Sequence, residues 1–254
     1  KLQKGRKKTK VIQRKKGWIG NLTRIFTPNI QEAACFEMVW KMSGRERKYK
    51  QTVYPVFGYL LIFILMYAFK GKDLSLNTLQ ASKRYLVFLY FPMLLSFSLI
   101  ANLSFSENKK SSWFFRAMPI HSVGVVLRGA LKAILIKYFV PTFVVIASCS
   151  VYIWGVAIID DIILAFITNV LVAILLQMIL VHDLPFSAEK NANDMGGNFF
   201  KGVLLMISIS VAVLIHYGLT FINYAVAIAI IPFFISIFFA LKSYNKMNWS
   251  RIHS

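Results

Sequence analysis

Six long apolar runs divide this chain, at 53–69, 85–104, 138–158, 162–181, 203–222 and 224–241. Each approaches the roughly 17–25 residues that a helix needs to cross a bilayer. Their apolarity is continuous, whereas a lipid-facing strand alternates with polar or lumen residues, so the runs predict helices rather than a barrel. The fifth and sixth meet at Asn223-Tyr224, which predicts a tight hairpin or a pair that dips in without a full crossing. Pro55, Pro92, Pro141 and Pro232 fall inside runs, where each frees a backbone carbonyl and favours a kink.

Two polar intervals stand out against that pattern. Residues 104–132 carry Lys109, Lys110, Trp113-Phe114-Phe115, Arg116, a Met118-Pro119-Ile120 break and Arg128. Such a mixture suits a short helix at the membrane face, its aromatics at lipid headgroups or in a partner's groove, and equally a plain interfacial connection. The other interval precedes the first run. Thr27-Pro28 reads as a helix start, and Ile30, Ala33, Ala34, Met38 and Met42 recur at three- and four-residue steps, with Phe36, Val39 and Trp40 widening the face. This predicts an amphipathic helix of about four turns ending near Ser43-Gly44. It packs on its own bundle or lies in the headgroup layer; Arg45, Arg47 and Lys48 follow at once and favour the headgroups, with Trp40 anchoring beside them.

Composition sharpens the class. At 57% hydrophobic residues the chain is too apolar for a soluble domain, and a net charge of +20 suits a membrane protein meeting the cytosol. Residues 1–26 form a basic cytosolic segment, whose 1–16 stretch attracts anionic lipid; no nucleic-acid-binding fold accompanies it. Residues 27–52 hold the amphipathic helix and a basic linker, and 53–254 the six-helix domain with its loop at 105–125. The chain opens on Lys1 rather than Met, which leads us to expect further chain before it. Lys190, Lys201, Lys242, Lys246 and Arg251 join the basic tail and loop on one side, against Lys70, Lys72, Lys83 and Arg84 on the other. That balance predicts both termini in the cytosol, in a multi-pass protein of the cell membrane.

Candidate chemistry is sparse. Cys35 and Cys149 have neither disulfide nor metal spacing, and no nucleotide-cradling or hydrolase motif occurs, so no catalytic residue, metal or cofactor is expected. Ionisable residues in the runs lie near their edges: Asp160-Asp161, His182-Asp183 and His216, the last read as a packing residue. The 182–201 loop holds Asp183, Glu189 and Asp194, which offers the alternative of a membrane-embedded enzyme of lipid metabolism; a non-transporting scaffold is a further one.

The order Glu107, Ser111-Ser112, Trp113-Phe114, Pro119-Ile120, then Gly129 and Lys132 resembles the membrane-spanning permease subunits of type-two ABC exporters. The resemblance covers about residues 27 to 241. It implies an all-α membrane fold of six spans preceded by an elbow-like interfacial helix. It also implies a loop that docks as a coupling helix on a separate ABC ATPase subunit, through Glu107, Trp113, Phe114, Phe115, Arg116 and Pro119. The implied partners are that ATPase, a second permease subunit and the bilayer.

Overall fold

In the computed structural model, residues 17–68, 83–106, 115, 120, 122–188, 195–247 and 249 are described. Among them every regular element is helical. The order is α1 (Trp18–Phe26), α2 (Ile30–Ser43), α3 (Arg47–Ala68), α4 (Tyr85–Tyr90), α5 (Pro92–Ala101), α6 (Val123–Ile134), α7 (Val140–Trp154), α8 (Ile159–Leu180), α9 (Met195–Leu219) and α10 (Ala225–Ser243).

Five stretches are long and apolar enough to cross a membrane: Arg47–Met66, Val123–Trp154, Val156–Leu180, Phe200–Leu219 and Ala225–Lys246. The expected second span is a shorter apolar helix, Tyr85–Ala101, in two pieces that meet at Phe91-Pro92. Proline has no N–H to give the turn before it, which places the break there. α9 and α10 each have spanning length, joined by a short turn in which Tyr224 adopts φ 60°.

The third span departs most from its sequence boundaries. Its helix starts fifteen residues before the predicted 138 and runs unbroken for 32 residues through a π turn at Leu135–Phe139. Pro141 follows that turn, and its missing N–H is what an i→i−4 ladder cannot accommodate there. At 1.5 Å per residue the rod is about 48 Å long, against a hydrocarbon core of ~30 Å. The rod therefore exceeds the hydrocarbon core by about twelve residues, the length of α6. The rod ends at Gly155, whose φ of 83° a side chain would resist.

α8 is the central span. Asn169 Nδ2 donates to the Leu89 carbonyl on α4 at 3.1 Å, and Gln177 Nε2 to the Leu127 carbonyl on α6 at 3.0 Å. Tyr244, just past α10, donates to Gln177 Oε1 at 2.6 Å. Amides reaching between helices in this way are the usual adhesive where lipid offers no hydrophobic drive to pack. At the α2 end of the bundle, residues 103–106 pair in parallel with 186–188. Phe186 N–H donates to the Leu103 carbonyl, Ala188 N–H to Ser104, and Ser106 N–H to Ala188, at 2.9, 2.9 and 3.0 Å. Phe186, at φ 56°, is buried edge-on to Tyr49.

Two sequence expectations are corrected at the N-terminal end. Residues 18–26 of the basic segment form α1. The amphipathic helix does not start at Thr27-Pro28: Pro28 keeps Thr27 extended, and Asn29 is the cap, its side chain accepting from Gln31 N–H at 3.0 Å. The apolar face of α2 is not left for headgroups, because Ala33, Cys35, Phe36 and Val39 are buried against the bundle, chiefly on α6. Gly129 makes that approach possible, since a Cβ there would stand 2.6 Å from the Glu32 carbonyl oxygen. Gly129→Leu is expected to destabilise the fold by about 1–3 kcal/mol through overpacking. Thermal unfolding of detergent-purified protein, followed by tryptophan fluorescence, would register a lowered midpoint.

Candidate functional site

α6 and α2 run side by side in the same direction, and their contact is ionic as well as apolar. Glu32, in the first turn of α2, is fully buried. Its Oε2 accepts from Arg128 Nη2 at 2.8 Å, and its Oε1 is ion-paired with Lys132 Nζ at 2.6 Å. The two cations sit one helical turn apart on α6, so both reach one carboxylate. Each also makes a second contact. Lys132 Nζ donates to the Phe26 carbonyl at the end of α1 (2.8 Å), and Arg128 Nη1 to Asn245 Oδ1 past α10 (3.4 Å). Four separate parts of the chain thus converge on one acid.

The other end of α2 is held by the same rod. Lys137 Nζ donates to the Trp40 carbonyl at 2.6 Å and to Ser43 Oγ at 3.0 Å, and Tyr138 OH donates to the Ser43 carbonyl at 3.1 Å. An acid in the first turn and a cation at the last carbonyls both suit the helix dipole. Burial, then the Glu32 carboxylate, push the nearby Cys35 thiol up to about 11.

The expected loop residues fare unequally. Phe115 is buried in the core cluster. Glu107, Trp113, Phe114, Arg116 and Pro119 lie outside the described residues, as does the basic stretch 1–16. Arg45, Arg47 and Lys48 are exposed. Trp40 is not placed like them: it is buried, stacked on Phe36 (5.7 Å) and edge-on to Trp18 (5.3 Å), with Lys137 above its ring. Of the three acidic residues in the 182–201 loop, Asp183 is described and Glu189 and Asp194 are not, and among the described residues no three His, Cys, Asp or Glu side chains gather as metal ligands.

A second polar cluster lies at the opposite end of the bundle. His216 on α9 is buried with both ring nitrogens engaged: Nε2 meets Asp161 Oδ1 on α8 at 3.0 Å, and Nδ1 meets the Tyr90 hydroxyl on α4 at 3.0 Å. Tyr85 OH donates to the other Asp161 oxygen at 3.1 Å. Sequence reasoning met Asp161 and His216 as separate edge residues. The available signal was that α8 begins and α9 ends on the same side of the membrane, which brings their charged residues level. Beside this cluster, α8, α9 and α10 enclose a cavity of about 330 Å³ with almost wholly apolar walls.

These features define a multi-pass helical membrane protein. No known family model, curated protein or solved structure matches the chain.

Breaking the acid's pairing should be costly. Glu32→Gln leaves two cations facing a neutral amide, and a loss of about 3–5 kcal/mol is expected from partner removal at a buried pair. The triple replacement Glu32→Met, Arg128→Leu, Lys132→Met removes the charges together and should restore much of the loss in chemical denaturation. The raised thiol gives a pH prediction. In a Cys149→Ser background, maleimide should leave Cys35 nearly unlabelled at pH 8, and labelling should climb about tenfold per pH unit towards 11 as thiolate forms.

Proposed function

We propose that the chain is the membrane-spanning permease subunit of an ABC-type exporter, working with a separate ATPase subunit and a second permease subunit. The observation carrying this is the overlong rod Val123–Trp154, whose projecting turns are bolted to α2 by Glu32. A loop that only connected two spans would not need a stiff extension of about twelve residues, tied by charge to an elbow helix. A device that receives force at the cytosolic face and delivers it into the membrane needs both.

In this reading, with the N-terminus and the 105–125 loop in the cytosol, the ATPase subunits close on ATP and push the loop. The rod and α2 then move as one body, and the third span tilts against the rest of the bundle. Energy enters only through the ATPase, whose nucleotide-bound form must favour one arrangement of the permease pair by a few kcal/mol. Trp113 and Phe114 act as aromatic anchors in the ATPase groove, with Arg116 meeting its acidic residues.

Trp113→Ala combined with Phe114→Ala should abolish co-purification of an ATPase and ATP-dependent transport, while the detergent-extracted protein elutes and melts as the parent does. Asp183→Asn with Asp194→Asn should leave both intact; their loss would instead favour an enzyme built on the acidic loop.

A further inference from the structure

We propose that the cavity between α8, α9 and α10 is a binding site for a long-chain fatty acid, which names a cargo class for the exporter and rests on that reading. Its wall extends from Leu164 to Ile179 on α8 and from Leu204 to Leu219 on α9. Fifteen residues of rise make the groove about 22 Å long. A groove of that length with almost wholly apolar walls suits an extended alkyl chain.

The polar groups in the wall are already engaged. Thr168 and Ser208 donate to carbonyls of their own helices at 2.8 and 2.7 Å, and Tyr90 and His216 bond each other. Hydrocarbon gains dispersion contacts here, and water, which needs two to four polar partners, is poorly served. Leu175, Ile179, Ile207 and Ile215 line the groove and are also exposed on the bundle's surface, so a chain can enter sideways from the bilayer.

The head group belongs at the Leu219 end. Lys83 lies there, its Nζ 2.7 Å from Thr220 Oγ1 and 4.4 Å from the centre of the Phe221 ring, exposed and able to turn towards a carboxylate. Asp161 is near, but both its oxygens are taken by Tyr85 and His216, and Asp160 is exposed. Lys83 is therefore the group that receives the acid.

The test uses the full chain in phosphatidylcholine nanodiscs and a diazirine-bearing palmitic acid, with adducts mapped by peptide mass spectrometry. Adducts are expected on 164–179 and 204–219, displaced by excess palmitic acid and about tenfold less well by hexadecanol. Leu175→Trp and Val211→Trp, at lipid-exposed positions the fold tolerates, should fill the groove and remove these adducts. Lys83→Ala should weaken labelling about tenfold. Adducts spread evenly over the exposed faces of α3 and α10, or untouched by either Trp variant, would overturn the site; equal displacement by hexadecanol would overturn the acid head group. Because no ATPase is present, labelling that persists when ATPase capture fails would remove only the transporter reading, and the reverse would remove only the cavity.

Discussion

A buried carboxylate held between two cations organises one end of this protein. Glu32 has no exposed surface, so its charge is tolerable only while Arg128 and Lys132 stay beside it. Those cations belong to the longest of the membrane-length stretches among the described residues, 32 residues against 25 or fewer in the others, and their other contacts reach the end of α1 and the residues past α10. Gly129 sits between them in sequence and lets α2 come close enough for the bonds to form. The charge sets the register of the two helices, and the apolar residues around it, Phe36, Val39, Val126 and Ala130, fill the seam.

The membrane half follows a different rule. There the helices cannot gain by hiding apolar surface, because lipid is equally apolar. What joins α8 to its neighbours is a set of amides and hydroxyls: Asn169, Gln177, and the Asp161–His216–Tyr90 chain at the far end. α3, α9 and α10 keep many large apolar side chains outward, as lipid-facing or partner-facing helices do.

Much of this was legible in the residues and some was not. Continuous apolar runs located the spans. The burial of Glu32 was invisible, since an acid in the first turn of an amphipathic helix ordinarily faces water, and only the pairing across about a hundred residues reverses that. Trp40 was misplaced for a related reason: a tryptophan beside a basic cluster suits a headgroup layer, but Phe36 and Trp18 give it an aromatic pocket instead. Thr27-Pro28 carried the right chemistry for a helix start, yet Asn29 stood one position later with a better acceptor. His216 was read as a packing residue because its partners, Asp161 and Tyr90, lie on other spans.

The claim beneath the whole account is that α2 and the third span form one body held by Glu32. Electron–electron distance spectroscopy tests it directly, with nitroxides at Ile30 on α2 and Val145 on α7, both exposed, in a Cys149→Ser background. A single narrow distance is expected in the parent protein and a broadened, longer distribution in the Glu32→Gln variant. The same narrow distance in both would contradict it.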